Sequence, residues 1–218
     1  MEAGRGRRPL VYHGEELRCS WRFEDEARAA GFECIAGVDE VGRGALCGPV
    51  VAGAVVLHVA FPTEGIDDSK RLTRKQRERL AAGIHEGARA AAIGLAEPWE
   101  IDRHNILEAT HLAMRRALEA LPCRPDHVLV DGFTVRRLTL SQRAVVKGDA
   151  LSYSIAAASI VAKVHRDGIM QDLDQRCPGY GLAKNMGYGS REHLEALQQK
   201  GPSEIHRRSF TGTQPWLF

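Results

Sequence analysis

The sequence predicts an α/β fold: a mixed sheet flanked by helices, with a helical part at the C-terminal end. Three observations carry this. Two short Val- and Ala-rich runs, residues 34–38 and 49–59, are joined through glycines and read as an antiparallel hairpin. Later short apolar runs are set apart by stretches with helical signals, the pattern of strands interleaved with helices. At 218 residues the chain is long enough for one domain with a full core and too short for two large ones.

In chain order, residues 1–19 form a basic arm expected to be flexible, and Ser20 is placed to cap a short helix through Ala30. After the hairpin a loop runs from Phe61 to Lys70. Thr73 and Gln76 then make a capping-box pattern for a helix reaching about His85. Residues 90–95 read as a third strand. Pro98 opens a helical region in which Leu107, Met114, Leu118 and Leu121 keep helical spacing and are assigned to the core. Residues 128–130 and 144–146 are two further strands, each closely followed by an acid, Asp131 and Asp149. A helix over 155–174 is ended by Pro178-Gly179, and a last one over 190–200 stops at Gly201-Pro202. Residues 20–210 are expected as one domain whose C-terminal helical part begins at about 177, leaving a tail over 211–218.

The formal charge of +2 is nearly balanced, so a nucleic-acid partner must be held by local positive charge. Five cysteines (Cys19, Cys34, Cys47, Cys123, Cys177) show no Cys-x-x-Cys pair, which argues against zinc and against a disulfide framework and suits a reducing cytoplasm. The N-terminus lacks the apolar core of a signal peptide, and no apolar run is long enough to span a membrane. A monomer is expected.

The richest segment is Gly37-Val38-Asp39-Glu40-Val41-Gly42-Arg43-Gly44. Two adjacent carboxylates precede a turn whose glycines admit positive φ and let a polynucleotide approach the main chain. This octad, continued by Ala45-Leu46-Cys47-Gly48-Pro49, resembles the first signature block of ribonuclease HII, the prokaryotic type 2 ribonuclease H. Asp68-Ser69-Lys70, Val130-Asp131-Gly132, Lys147-Gly148-Asp149, residues 156–163, Gly187-Tyr188-Gly189 and His206-Arg207-Arg208-Ser209-Phe210 follow in family order.

The resemblance implies a ribonuclease H-like fold and maps four catalytic, metal-binding carboxylates onto Asp39, Glu40, Asp131 and Asp149. Like charges about 4 Å apart repel by roughly 4 kcal/mol at an effective dielectric near 20, so converging carboxylates either take up protons or recruit cations. All-oxygen ligation points to Mg²⁺ or Mn²⁺, and two such ions can clamp the attacking and leaving oxygens of an in-line phosphoryl displacement. Asp39 is expected to bridge both ions, with Glu40 on one ion or on a bound water. Neighbours on a strand face opposite sides, so both reach the metals only if the backbone twists there. Asp167 recurs in the family as well. Some 18 Å along its helix, it is expected to form a structural ion pair, with Arg166 or another neighbour, instead of a metal contact.

The resemblance further implies that Gly42, Arg43 and Gly44 contact a ribose 2′-hydroxyl and its phosphate and that Tyr188 stacks on the following sugar. It places Ser69 and Lys70 on phosphate, and it matches Lys147, Ser159 and Lys163 to motif positions. Met186 stands where the family often has Lys. Arg71, Arg74, Lys75, Arg77 and Arg79 are read as a solvated helix face.

The implied substrates are RNA–DNA hybrids and DNA duplexes containing ribonucleotides, cut 5′ of the ribonucleotide. Rival readings are a catalytically silent hybrid-binding module, which would lack one carboxylate, and another ribonuclease H-like nuclease such as a junction resolvase, which has no need to read a 2′-hydroxyl. Ribonuclease HIII is disfavoured by the short stretch before the first strand. The terminus Gln214-Pro215-Trp216-Leu217-Phe218 resembles the peptide by which replication and repair proteins bind the sliding clamp, with Gln214, Leu217 and Phe218 as its contacts; folding back onto the domain is the alternative.

Overall fold

Alternation of Val and Ala with no polar face marks strands buried on both sides. In the computed structural model, which describes residues 11–12, 15–16 and 18–213, those runs form the centre of a five-stranded sheet. The segment expected as a flexible arm contains a two-residue ladder, β1 (Val11–Tyr12) with β2 (Glu15–Glu16). Beyond it, α1 (Arg22–Ala29) follows Trp21, not Ser20, and has no side-chain cap. Ser20 is instead held by a backbone bridge to Ser152.

The sheet runs β5-β4-β3-β6-β7, with β3 (Ile35–Val41), β4 (Val50–Val56) and β5 (Ala90–Ala96) antiparallel and β6 (His127–Asp131) and β7 (Ser141–Val145) parallel to β3. Between them stand α2 (Arg74–Gly87), α3 (Pro98–His104) and α4 (Ile106–Glu119). The Thr73–Gln76 capping box is present. The single helical region expected after Pro98 is two helices, because Asn105 takes φ 71° and its carboxamide caps α4 through the amides of Leu107 and Glu108. Met114, Leu118 and Leu121 are core as expected, whereas Leu107 is only half-buried.

After β7 a single 3₁₀ turn, Gly148–Ala150, leads into α5 (Tyr153–Arg176), followed by the short α6 (Leu182–Asn185) and by α7 (Arg191–Lys200). Helix α4 covers one face of the sheet, packing on β4 and β5, while α5 covers the other, on β3 and β4. The α5 contact is unusually close. A Cβ at Gly37 would overlap the backbone of Ser154, and one at Gly53 the backbone of Ala158, so glycine on the strands and Ala156, Ala157 and Ala158 on the helix let the layers meet. A separate core of Leu46, Met170, Leu173, Leu182 and Leu197 fastens the C-terminal helices to the hairpin loop. Among the described residues no helix is long and apolar enough to cross a membrane.

Candidate active site

Strand register brings the acids together. Val38 on β3 pairs with Val130 on β6, so Asp39 and Asp131, one residue further on, stand side by side on parallel neighbours, where β6 ends. Asp131 in turn pairs with Val145 on β7, and its Oδ1 accepts the Gly148 amide at 2.7 Å. That bond fixes the 3₁₀ turn that carries Asp149. Asp39 and Glu40 lie inside β3, not at the end of a shorter strand as expected.

Both Asp39 and Glu40 nonetheless line one cleft of about 430 Å³, shared with Asp131, Gly42, Arg43, Gly44, Ser69, Lys70, Ser159, Lys163 and Tyr188. The Glu40 amide donates to Asp39 Oδ1 at 2.7 Å, and Arg43 Nη1 reaches Glu40 Oε1 at 3.2 Å. Gly42 takes φ +91°, and a Cβ there would overlap Arg166 Nε, so no other residue fits at the start of the turn.

Burial, then the charges of Glu40 and Asp131, hold the Asp39 carboxyl well above the usual range, with Ser159 opposing in part. Burial raises Glu40 also, against Arg43, and burial with Asp149 raises Asp131. Glu40 Oε2 is buried with no hydrogen-bond partner. A set of crowded oxygen donors that resist ionising together, one of them unpartnered, fits hard divalent cations.

Lys70 Nζ sits 2.8 Å from Asp149 Oδ2 and 4.0 Å from Asp68 Oδ1. Burial alone would lower its pKa, but Asp149, Asp68 and Asp39 together raise it. Ser69 Oγ and Ser159 Oγ are 2.9 Å apart, so the helical Ser159 ties the Ser69–Lys70 loop to α5 beside Asp39. Tyr188 is 38% exposed, its ring 5.7 Å from the Arg166 guanidinium carbon.

Lys147 takes a left-handed backbone and is exposed, and neither it nor Asp149, which meets the cleft through Lys70, is among the residues lining the cleft. Arg77, read as part of a solvated face, lines it instead, with Nη1 donating to the carbonyls of Ser69 and Leu72. One arginine of a basic helix looks like the next in sequence; only the fold turned this one inward. Asp167 stays outside the cleft. It is paired with Lys163 at 2.6 Å and Arg77 at 3.8 Å, not with Arg166. Met186 packs against the C-terminal core, so it presents no cation to the cleft. Residues 214–218, including Gln214, Leu217 and Phe218, lie outside the described residues.

Cys47, His193 and His206 also converge, though the sequence offered no metal spacing for them. Their hydrogen bonds argue for a neutral histidine pair. The Ser203 amide donates to His206 Nδ1 at 3.1 Å, which leaves the proton on His206 Nε2, facing His193 Nε2 at 3.1 Å. His193 Nδ1 then donates to the Tyr188 carbonyl at 3.0 Å. The relay braces the Tyr188 loop and leaves His206 Nε2 no lone pair for a metal.

The sequence model of the family described as Ribonuclease HII matches residues 36–213. Ribonuclease HII of Cereibacter sphaeroides (strain KD131 / KCTC 12085) is 57% identical over 197 residues, 89% of this chain and 92% of that protein. Among solved structures, the ribonuclease H2 from Pyrococcus horikoshii OT3 aligns with TM-score 0.72 at 30% identity over 83% of this chain and 95% of its own. The ribonuclease HII of the PCNA complex from Archaeoglobus fulgidus aligns with TM-score 0.69 at 27% identity, over 82% and 96%. With a family match running from β3 to the last described residue, the chain belongs to the ribonuclease HII family, metal-dependent endoribonucleases of RNA–DNA hybrids.

Proposed function

We propose that the cleft hydrolyses the phosphodiester on the 5′ side of a ribonucleotide, in a DNA duplex or in the RNA strand of a hybrid, leaving 3′-hydroxyl and 5′-phosphate ends. The observation that carries this is the shared cleft. The buried Asp39 and the half-buried Glu40 and Asp131, with Glu40 Oε2 unpartnered, open onto the same space as the Gly42–Gly44 turn and Tyr188.

Asp39, Glu40, Asp131 and Asp149 would hold two Mg²⁺ or Mn²⁺ ions, which when bound supply an activated water and neutralise charge on the transferring phosphoryl group. The residues themselves bind and orient. Among the described residues Arg43 and Gly44 have no acceptor for their amides, and both line the cleft, placed to meet a 2′-hydroxyl and the adjacent phosphate. Tyr188 offers a ring for the next sugar. Lys70, with Lys163 and Arg77 further along the wall, draws the phosphate backbone in, and Ser69 and Ser159 hold that wall against Asp39.

A sliding clamp is the proposed protein partner, through Gln214, Leu217 and Phe218. That the 27%-identical Archaeoglobus neighbour was solved with PCNA supports this class of partner. The reading of the cleft is tested on a duplex carrying one ribonucleotide, with and without EDTA. A single metal-dependent cut 5′ of the ribose is expected, and equal cutting of an all-DNA duplex would overturn it.

A further inference from the structure

Arg166 on α5 and Arg207 beyond α7 are the largest fully buried side chains among the described residues. Every hydrogen bond they make there goes to a main-chain carbonyl. Arg166 donates to Pro49, Cys47 and Met186, at 3.0, 3.2 and 2.9 Å. Arg207 donates from Nε to Gly48 at 3.0 Å and from Nη1 to Arg43 at 2.9 Å, while its Nη2 is buried without a partner. The nearest acid in sequence, Asp167, is taken by Lys163 and Arg77. Burying a guanidinium with no carboxylate bonded to it is costly: burial, then Arg166, brings Arg207 down to about 9 against Asp102, and burial lowers Arg166 against Asp167.

What these two cations hold is specific. All five carbonyls belong to two loops, residues 42–49 and 186–188, which carry the turn and Tyr188. A trans peptide points its C=O and N–H in opposite directions. Turning the Arg43 carbonyl inward to Arg207 therefore turns the Gly44 N–H outward, and Gly44 is exposed with no acceptor for that N–H among the described residues. Arg166 grips both loops at once, and the Leu46 amide adds a second tie to the Gly187 carbonyl at 2.7 Å.

We propose that Arg207 and Arg166 are specificity-positioning residues: Arg207 aims the Gly44 amide at the ribose, and Arg166 sets the spacing between that amide and Tyr188, so that one nucleotide and its 3′ neighbour are read together. The proposal rests on the ribose-reading role of the turn given above.

The test compares the parent enzyme with Arg207→Lys, Arg207→Gln and Arg166→Lys on duplexes carrying a single ribose or its 2′-fluoro analogue. In folded variants, kcat/KM on the ribose should fall by about 100-fold, the scale of a 1 Å misplacement, and the preference for ribose over 2′-fluoro should shrink. The Mg²⁺ midpoint and duplex binding in Ca²⁺ should stay at the parent values, which a general loss of structure would not allow. Methylguanidinium should restore ribose preference to Arg207→Ala. A folded Arg207→Lys with parental kcat/KM and parental preference would overturn the proposal. If the substitutions unfold the chain, recovery of fold by methylguanidinium without recovery of preference overturns it too. A parent enzyme that cuts the 2′-fluoro duplex as fast as the ribose duplex would instead refute the reading of the turn itself.

Discussion

The Lys70 ammonium lies 2.8 Å from Asp149 Oδ2, although 78% of the lysine side chain is exposed and free to sample water. An exposed cation is thus paired with Asp149, which, like Asp131 and unlike Asp39 and Glu40, has no adjacent carboxylate in sequence. In the proposed reading of the cleft, substrate phosphate competes for the same ammonium. Lys70→Ala should weaken hybrid binding and reduce its salt dependence by about one unit of slope, since one released counterion is lost. Binding isotherms at several salt concentrations measure this, and an unchanged slope would leave Lys70 only a partner of Asp149.

Asp39→Asn should lower kcat by at least about 100-fold while hybrid binding in Ca²⁺ persists. It should not lower the melting temperature. Asp39 is held above its usual pKa by burial and by Glu40 and Asp131, so replacing it with a neutral isostere removes repulsion from the apo fold. Parental turnover in Mg²⁺ would exclude Asp39 from the metal set.

Asp149→Asn and Asp167→Asn should part company. The first is expected to abolish cleavage with little effect on stability. The second should cost about 1–2 kcal/mol through the Lys163 and Arg77 pairs while keeping most activity. Single-turnover rates at matched folded fraction decide it, and the reverse order would move the fourth ligand to α5.

Stability should fall with acid through the histidine relay. Burial, aided by His193, lowers His206 from 6.5 to about 4. The unfolded chain takes up this proton near pH 6.5 and the folded chain only near pH 4. Stability is therefore full above 6.5 and is lost as pH falls towards 4, by about 3 kcal/mol at most. Urea midpoints from pH 4 to 7 should show this slope, and His206→Gln should flatten it.

Deleting residues 214–218 should abolish clamp binding while leaving melting temperature and hydrolysis intact. Leu217 and Phe218 would each contribute about 1.5–3 kcal/mol on burial, enough with their neighbours for micromolar affinity at about 8 kcal/mol. Calorimetric titration against the clamp measures it. A lower melting temperature without any clamp binding in the intact protein would place the tail on the domain instead.

Most of the frame was legible because local rules agree with the fold. The Thr73–Gln76 box, the Val- and Ala-rich β4 and the stop at Pro178-Gly179 are short-range effects, and each lies where its residues predict, whereas β3 runs past its apolar residues through Asp39 and Glu40 to Val41. The break at Asn105 was missed because Pro98 and the later leucines keep helical periodicity across it. A single residue at positive φ leaves no mark in that pattern.

By itself the sequence determined the mixed sheet and the family and singled out the four acids as candidates, since periodicity, capping and motif order are properties of neighbouring residues. Only the tertiary structure decided the remainder. It set Arg77 on the cleft wall, left Lys147 exposed, and of the neighbours open to Asp167 chose Lys163 and Arg77. It also buried Arg166 and Arg207 under the loops they hold, because the partners of a long charged side chain are set by elements far apart in the chain, which no local pattern of residues encodes.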